Sequence, residues 1–305
     1  SFPTRRSSDL NGFLAQKFCE IVLHRKLPYD IYGVSKAKNR NIYLKDTCFR
    51  AIDLTDFDLL AQSLAEVKPT HLLHTAAMTT VEGCELHQEE AYKINVQLTA
   101  YLADYCAVHG IHLTFLSTDF VFDGKAGPYA EIDATHPLNY YGETKVLAEQ
   151  SILGTKATAA ILRTILVYGA IPDRSRGNLV LWAKSQLEQN MEIKVVADQW
   201  RMPTWVDDLA VACILAMEAR AVGIFHISGN QMMTIYEAVV CVADTLNLDK
   251  RLITSIEAKD LGQADNRPRK TGFNLLKSKN ELSFVPTSFV ESLPYICEQL
   301  KRYGR

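Results

Sequence analysis

Residues 112–124 read HLTFLSTDFVFDG, and residues 140–153 read YYGETKVLAEQSIL. The first stretch begins as an apolar run typical of a buried strand, whereas the second has the length and apolar spacing of a helix. Apolar runs of this kind alternate with helical segments along most of the chain. Such alternation predicts a parallel sheet that is covered by helices on both faces. The fold class that we expect is therefore α/β, with a doubly wound parallel sheet.

The alternation extends from residue 11 to about Gly169 and then loosens into turn-rich stretches. The expected strands are Tyr29–Ser35, His71–Ala77, His112–Phe122, Ala159–Gly169, Ile193–Val196 and Gly223–Ser228. The expected helices are Asn11–His24, Asp56–Val67, Glu89–His109, Tyr140–Leu153, Asn178–Gln189, Val206–Ala219, Thr234–Leu246 and Ser288–Arg302. We assign residues 11–170 to a dinucleotide-binding (Rossmann) domain, and residues 171–305 to a mixed region that holds a small C-terminal substrate lobe and the remaining Rossmann elements.

The first ten residues, SFPTRRSSDL, do not fit this pattern. A dinucleotide-binding fold needs a buried apolar strand directly before its glycine-rich loop, and this polar segment offers none. The segment resembles a translated sequencing adapter, so we expect residues 1–10 to be non-native and the first strand of the fold to be missing. The two neighbouring strands would then lack a hydrogen-bonding partner. The alternative is a natural polar N-terminal arm.

The composition limits the partners and the cellular compartment. A formal net charge of −2 and a pI of about 6.4 give no reason to expect nucleic acid or an anionic membrane as a partner. Seven cysteines, an odd number without a C-x-x-C pair, favour reduced thiols and hence a cytoplasmic protein. No apolar run is long enough to span a membrane. His71 and His74 would point to opposite faces of a strand, so we expect no metal site.

Two segments predict where a dinucleotide would bind. Gly12 begins the first helix, and Gly12, Phe13 and Leu14 would face a pyrophosphate at the helix N-terminus. The strand that follows ends in a hydroxyl and three cations, which suit the 2′-phosphate of NADP(H) better than the ribose hydroxyls of NAD(H). These residues are Ser35, Lys36, Lys38 and Arg40. The alternative is a solvated basic turn.

Two further strand ends complete the expected cofactor site. Asp53 and Leu54 could reach the adenine of the cofactor. The small residues Ala76 and Ala77, with Met78, would let the cofactor lie close to the sheet. For each of these residues the alternative interpretation is ordinary packing at a strand end.

Tyr141 and Lys145 are four residues apart, so on a helix their side chains lie on one face, one turn from each other. A phenol has a pKa of about 10, and a neighbouring ammonium stabilises the phenolate and lowers that pKa. Tyr141 could then give a proton to a carbonyl oxygen while a hydride reaches the carbon. The preceding strand ends near Thr118, whose hydroxyl can donate a hydrogen bond to the same carbonyl.

Several ordered motifs resemble one enzyme family. They are NGFLAQ, HTAAMTTVEGCE, INVQLTAYLA, LSTDFVFDG, PLNYYGETK, ILRTILVYG, ADQWRMPTWVDDLA, GIFHISG and RPRKTGF, and together they span residues 11–273. The chain therefore resembles the dTDP-4-dehydrorhamnose reductase branch of the extended short-chain dehydrogenases/reductases. The resemblance implies the strand order 3-2-1-4-5-6-7 and NADPH-dependent reduction of a 4-keto nucleotide-diphosphate deoxysugar, as in dTDP-rhamnose biosynthesis. It also implies a homodimer, as in many relatives.

The same resemblance implies roles for individual residues. It makes Thr118, Tyr141 and Lys145 the catalytic set. It adds Asn95, Arg163 and the Tyr141/Lys145 pair to the cofactor site. The residues that it places at the substrate are Asp119, Val121, Phe122, Tyr168, Asn178, Arg201, Thr204 and Arg267. For Arg163 and Arg267 the alternative is an ion pair that holds the two lobes together.

The chain departs from the reductases at two places. Small residues are usual where this chain has Trp200, Arg201 and Met202, and bulkier side chains there would reshape the sugar pocket. A tyrosine is often found where this chain has Met78, so a hydrogen bond to the substrate would be lost. These differences leave the identity of the sugar open.

Two other functions fit part of the sequence. A sugar-nucleotide epimerase or dehydratase belongs to the same superfamily, but a dehydratase needs a pair of carboxyl groups beside the threonine, and this chain offers only Asp119. The other function is a non-catalytic NADP-binding regulatory subunit, of which the regulatory subunit of eukaryotic methionine adenosyltransferase is an example. The presence of both Tyr141 and Lys145 favours an enzyme.

Overall fold

The computed structural model of the chain describes residues 4–8, 11–175, 177–262 and 266–304. Its strands are β1 (Thr4–Ser8), β2 (Asp30–Ser35), β3 (Phe49–Ala51), β4 (His71–His74), β5 (His112–Thr118), β6 (Ala159–Thr164), β7 (Val167–Tyr168), β8 (Ile193–Val196), β9 (Trp200–Arg201), β10 (Thr204–Trp205), β11 (Gly223–Ile227), β12 (Met233–Thr234) and β13 (Ile253–Ile256). Its helices are α1 (Phe13–His24), α2 (Phe57–Val67), α3 (Val81–Leu86), α4 (Gln88–Tyr92), α5 (Leu98–His109), α6 (Tyr140–Leu153), α7 (Leu179–Glu188), α8 (Val206–Glu218), α9 (Ile235–Leu246), α10 (Leu276–Leu282) and α11 (Phe289–Arg302).

Seven of the described strands form one parallel sheet in the order β3-β2-β1-β4-β5-β6-β11. Numbered along the chain, these strands follow the order 3-2-1-4-5-6-7, as predicted. The direction of the strand order reverses between β1 and β4, and a crevice forms at such a switch point at the carboxyl ends of the strands. The predicted α/β class with a doubly wound parallel sheet is confirmed.

The central position of the sheet is filled by β1, so the prediction that the two neighbouring strands lack a hydrogen-bonding partner was wrong, whereas the replacement of the native first strand stays a prediction. The main chain of Thr4–Ser8 pairs with Asp30–Val34 of β2 on one side and with His71–His74 of β4 on the other. A parallel ladder is built from main-chain N–H and C=O groups, which a polar segment carries as well as an apolar one. Both neighbouring strands therefore have a hydrogen-bonding partner. That residues 1–10 are non-native remains a prediction.

Helices cover both faces of this sheet, as expected for a parallel sheet. Helices α1 and α8 pack together on one face, where Leu14, Phe18 and Cys213 are buried. Helices α2, α5 and α6 lie on the other face, where Leu64 and Leu102 are buried. Full burial of one such side chain stabilises the fold by about 1.5–3 kcal/mol.

The chain after β7 passes repeatedly between the sheet and a smaller lobe. Strand β11 joins the edge of the sheet and helix α8 packs on its face. Helices α7, α9 and α11 and the parallel pair β8–β13 form the lobe. The lobe has its own apolar core, which includes Leu187, Ile193, Val242 and Leu293. This separate core holds the lobe beside the carboxyl edge of the sheet.

Several expected strands end earlier than predicted, among them His71–Ala77, which ends at His74, and two whose ends have a clear local cause. Strand β5 stops at Thr118, because the Thr118 hydroxyl accepts a hydrogen bond from the main-chain N–H of Phe120 (3.2 Å) and starts a 3₁₀ turn. The stretch Ala159–Gly169 is divided into β6 and β7, because Leu166 has a φ of 38° that no strand can contain. Both interruptions lie at the crevice.

One expected helix, Glu89–His109, is divided into α4, a π-helical turn over Lys93–Gln97, and α5. Strand β3 and helix α3 are short elements that were not predicted. None of the described helices has the length and apolar character needed to cross a membrane. Within the described ranges, no group of His, Cys, Asp or Glu side chains is arranged to hold a metal ion.

Candidate active site

A cleft of about 740 Å³ opens between the carboxyl edge of the sheet and the lobe. On the sheet side it is lined by residues that include Gly12, Phe13, Leu14, Ala77, Thr118, Tyr141 and Lys145. On the lobe side its lining includes Trp182, Lys194, Gln199, Arg201 and Arg267. The cleft thus joins the start of α1, the predicted catalytic residues and the lobe.

Helix α6 carries the predicted catalytic pair. The helix begins after Asn139, whose side chain accepts a hydrogen bond from the main-chain N–H of Gly142 (2.8 Å) and so caps the first turn. Gly142 packs directly on the carbonyl oxygen of Phe120, with which an added Cβ atom would clash. This close approach holds α6 against the end of β5 and brings Tyr141 within hydrogen-bond reach of Thr118.

The protonation of the half-buried Tyr141 phenol follows from its surroundings. Burial raises its pKa above the usual range, whereas the hydrogen bond with Thr118 lowers the pKa and the Asp119 carboxylate raises it. The lowered pKa that the spacing of Tyr141 and Lys145 predicted was therefore wrong, because burial is the largest effect on this hydroxyl. The hydroxyl is protonated at neutral pH, which is the state that a proton donor requires.

Lys145 lies one turn further along α6 and is almost completely buried. Its ammonium donates a hydrogen bond to the carbonyl of Leu116 (2.5 Å) and lies 4.1 Å from the centre of the Phe115 ring. Burial lowers its pKa to about 7, while the Glu149 carboxylate acts in the opposite direction. A lysine with this pKa changes its charge near neutral pH, so a small change in its surroundings decides its charge.

Beneath Lys145 lies a buried ion pair between Glu149 and Arg163. The Arg163 guanidinium donates to the Glu149 carboxylate from Nε (3.0 Å) and Nη2 (2.6 Å), and the Ser117 hydroxyl donates to the same carboxylate (2.5 Å). Arg163 does not line the cleft, so the structure does not bring it to the predicted cofactor site. It forms an ion pair, but within the Rossmann part rather than between the lobes.

Asn95 lies in the π-helical turn and is also buried below the cleft. Its side chain accepts from the main-chain N–H of Met78 (2.8 Å) and donates to the Met78 carbonyl (3.0 Å) and to the Thr144 hydroxyl (2.9 Å). Thr144 in turn donates to the carbonyl of Tyr141 (2.7 Å). Asn95 therefore ties the segment after β4 to the catalytic turn of α6, a role that sequence reasoning did not assign to it. Turns of π-helix are frequent at functional sites.

A second cavity, of about 580 Å³, continues along the sheet from Ala77, which lines both cavities. Its lining includes the predicted adenosine-end residues Ser35, Lys36, Asp53, Leu54 and Ala76. The Lys36 ammonium is 3.0 Å from the Asp53 carboxylate. The main-chain N–H of Thr55, followed by Lys36, lowers the pKa of Asp53 to about 2.

Lys38 and Arg40 do not line this cavity, although the loop that carries them is firmly held. Asn11 donates to the carbonyl of Lys38 (3.0 Å) and accepts from the main-chain N–H of Arg40 (2.8 Å). The Arg40 side chain lies 3.6 Å from the carboxylate of Asp173. Of the three predicted cations, the structure therefore places only Lys36 in the lining of the cavity.

These residues fit a dinucleotide. Gly12 starts α1 without a side-chain cap, and the first turn of α1 has no acidic residue. The main-chain N–H groups of that turn are thus available to a pyrophosphate. The cleft and the second cavity meet at Ala77, so one extended molecule could lie along both.

On the substrate side, Asp119 and Arg201 both line the cleft and form a buried pair. Arg201 Nε lies 3.7 Å from the Asp119 carboxylate, which also accepts a hydrogen bond from the Thr271 hydroxyl (2.5 Å). Burial raises the pKa of Asp119 above its usual range, although Arg201 and Thr271 act in the opposite direction. Arg201 also donates to the carbonyls of Trp200 (2.7 Å) and Pro268 (2.7 Å). Arg201 therefore holds the Asp119 carboxylate and the main chain at Pro268 in place on the lobe side of the cleft.

Five other residues that the resemblance placed at the substrate do not line the cleft. Val121 and Phe122 are fully buried in an apolar cluster, and the Tyr168 hydroxyl is hydrogen-bonded to Ser292 inside the lobe (2.8 Å). Thr204 is also fully buried. Asn178 caps α7 and donates to the carbonyl of Gly169 (2.9 Å). These side chains are therefore part of the packing around the cleft and not of its lining.

Arg267 does line the cleft, and it pairs across the opening with Glu82 of α3 (2.6 Å). This contact connects the lobe side to the sheet side, as in the alternative interpretation of Arg267. Sequence reasoning missed Glu82, Glu149, Trp182 and Lys194. Glu149 could have been found from its spacing of one helical turn from Lys145, whereas the others reach the site through packing over long sequence distances.

Comparison with known proteins places the chain in a family. Residues 26–302 match the family model described as RmlD substrate binding domain.

The chain belongs to the RmlD substrate-binding-domain family.

Its relatives within and near the RmlD family include an enzyme and a regulatory protein. It is 30% identical over 261 residues to dTDP-4-dehydrorhamnose reductase of Aggregatibacter actinomycetemcomitans, covering 81% of this chain and 87% of that protein. It is 33% identical over 205 residues to methionine adenosyltransferase 2 subunit beta of Bos taurus, covering 66% of this chain. The match spans 61% of the bovine protein's length.

A solved structure supports the same assignment. The dTDP-4-dehydrorhamnose reductase of Bacillus anthracis, crystallised in complex with NADP, superimposes with a TM-score of 0.86 at 25% sequence identity. The superposition covers 98% of this chain and 100% of the other. The RmlD-like extended short-chain dehydrogenase/reductase family that the motifs indicated is thus confirmed.

Proposed function

We propose that this RmlD-family protein is an NADPH-dependent reductase of a 4-keto deoxysugar carried on a nucleoside diphosphate, similar to dTDP-4-dehydrorhamnose reductase. The observation that carries the proposal is the position of Tyr141 and Thr118, which line the same cleft together with Lys145 and the start of α1. The 30% identity to an enzyme of that name supports the same reaction.

The residues suit the reduction of a ketone. NADPH, when bound, supplies the hydride that adds to the carbonyl carbon. Thr118 and Tyr141 can both donate hydrogen bonds to the carbonyl oxygen, and the Tyr141 hydroxyl gives its proton to that oxygen to form the alcohol. The Lys145 ammonium then stabilises the phenolate that remains until Tyr141 is reprotonated from solvent. For the cofactor we propose Gly12, Phe13 and Leu14 at the pyrophosphate, and Ser35, Lys36, Asp53, Leu54, Ala76 and Ala77 at the adenosine end.

The surroundings of Asp119 favour reduction over dehydration. A dehydratase requires a carboxyl group that is free to exchange protons with the sugar. The Asp119 carboxylate is instead occupied by Arg201 and Thr271. Acid/base chemistry at this position would first have to break a buried pair, which is costly.

A second candidate is a non-catalytic regulatory subunit that keeps the cofactor site. The 33% identity to methionine adenosyltransferase 2 subunit beta favours it. In such a protein the same cleft would bind NADP(H) without turnover. We further propose a cytoplasmic location, since seven free cysteines suit a reducing compartment, and a homodimer, by analogy with the reductases.

A single assay distinguishes the reductase from the regulatory subunit. The purified chain is mixed with NADPH and a dTDP-4-keto-6-deoxysugar, and loss of reduced nicotinamide is followed together with formation of the 4-hydroxy sugar. We expect one NADPH to be consumed for each alcohol formed. NADPH binding without consumption, for the dTDP sugar and for its UDP counterpart, would contradict the reductase and favour the regulatory subunit.

A further inference from the structure

Trp182 is the aromatic side chain of α7 that does not pack into the lobe. Its sequence neighbours Leu181 and Ala183 are buried in the lobe core. Trp182 is outside that core, is 41% exposed and lines the catalytic cleft. A large aromatic ring left uncovered in a cleft has an apolar face that a flat ligand can cover.

The main chain beneath this indole is held firmly. The N–H of Trp182 donates to the carbonyl of Asn178 (2.9 Å), and the Asn178 side chain donates to the carbonyl of Gly169 at the end of β7 (2.9 Å). Trp182 therefore lies in the first turn of a helix that is tied to the strand beside it. A side chain on such a support loses little conformational freedom when it binds a ligand.

The chemistry around Trp182 is that of a nucleotide site. Lys194 is exposed on β8 and lines the same cleft, as does Arg267. Leu261, which is 51% exposed, adds an apolar contact on the lobe side. A ring face with cations in one cavity matches a molecule that has a flat base and a diphosphate.

The position of the reacting atoms decides which part of a substrate lies here. The carbonyl group must contact Thr118 and Tyr141, and the cofactor lies towards Gly12 on the sheet side. The rest of the substrate then has to extend along the lobe side, where Trp182 lies. We propose that Trp182 is the stacking platform for the base of the nucleoside diphosphate, with the phosphates near Lys194 and Arg267. This inference rests on the proposed function, because it concerns the substrate of that reaction.

The test is binding of dTDP, an unreactive nucleotide, to the full chain saturated with NADP, measured by calorimetry. We expect Trp182→Ala to raise the dissociation constant about tenfold, the size of the loss of one base–aromatic stack. Trp182→Phe keeps a ring and should stay within about threefold of the wild type. Tyr295→Ala is the matched control, since Tyr295 is a 53% exposed aromatic residue that does not line the cleft, and it should leave binding unchanged. Inorganic pyrophosphate, which has no base, should bind equally to the wild type and to Trp182→Ala.

The outcomes separate this inference from the proposed function. If the wild type and Trp182→Ala bind dTDP equally, Trp182 is not the platform, while the nucleotide-sugar function stands. If Trp182→Phe loses as much affinity as Trp182→Ala, the ring itself is not what binds, and the inference also fails. If the wild type binds NADP but neither dTDP nor UDP, both the inference and the nucleotide-sugar substrate are contradicted.

Discussion

The charge on Lys145 is determined by two opposing effects, and it is the property on which the chemistry of the cleft depends. Burial lowers the pKa of this lysine to about 7, and Glu149, one turn further along α6, raises it. Glu149 is itself fixed by Arg163 and Ser117. The spacing of Tyr141 and Lys145 predicted the pair, but only the folded chain shows Arg163 in the cluster, because β6 and α6 meet through packing.

This arrangement predicts a shift in the pH dependence of the reaction when Glu149 is replaced. In the proposed mechanism the protonated Lys145 is the active form, so activity should fall as the pH rises through the pKa of Lys145. Glu149→Gln removes the charge that raises this pKa, so the basic limb of the kcat/KM profile should move to lower pH by about one unit. The measurement is kcat/KM for NADPH-dependent reduction across pH.

Glu143→Gln serves as the matched control, because Glu143 is an exposed carboxylate on the same helix. Its profile should coincide with that of the wild type. A Glu149→Gln profile that keeps the wild-type limb, with only a lower plateau, would show that Glu149 does not influence the charge of Lys145.

Among the secondary-structure elements, the loop after β2 carries the basic residues that we propose for the 2′-phosphate of the cofactor. The strand position and its basic residues were predictable, since a βαβ unit fixes where the second strand ends. The orientation of the side chains was not, because it depends on Asn11 and Asp173, which come from distant parts of the chain. Both ends of helix α6 were predicted correctly. The 3₁₀ turn that ends β5 was not predicted, because it depends on a single hydrogen bond from the main-chain N–H of Phe120 to the Thr118 hydroxyl.

We predict that Lys36→Glu combined with Lys38→Glu moves cofactor preference from NADPH towards NADH. One anion in the cavity lining and a second in the same loop would repel a 2′-phosphate but not a hydroxyl group, so the ratio of the two dissociation constants should change by about tenfold or more. The measurement is fluorescence titration of both reduced cofactors. Lys45→Glu combined with Lys156→Glu changes the same charge at exposed lysines outside the cavity and should leave the ratio unchanged.

An unchanged NADPH-to-NADH ratio in the Lys36/Lys38 variant would contradict the assignment of this loop to the 2′-phosphate. Loss of affinity for both cofactors to the same extent would contradict it as well, because the loop would then act on a part that the two cofactors share.

For the whole molecule, the alternation of apolar strands and helices predicted the parallel sheet, the family resemblance implied its strand order, and the motifs predicted the proposed catalytic residues at its carboxyl edge. The pairing of Thr4–Ser8 between β2 and β4 could not be predicted, because this polar segment lacks the apolar run that indicates a buried strand. The lobe contacts did not follow either, since Glu82 and Arg267 are brought together only when the lobe folds over the sheet. The sequence thus predicted which side chains could carry the reaction, and the structure adds the contacts between the lobe and the sheet that form the cleft.

The role of Tyr141 as proton donor is tested by comparing the wild type with Tyr141→Phe in two assays on the same preparations. Removal of the Tyr141 hydroxyl takes away the proton donor but leaves the ring, so turnover of a dTDP-4-keto-6-deoxysugar should fall by a factor of about a thousand, while the NADPH dissociation constant stays within about threefold. Turnover that survives in Tyr141→Phe at the wild-type rate would contradict the assignment of Tyr141 as proton donor, and with it the account of this cleft as a reductase site.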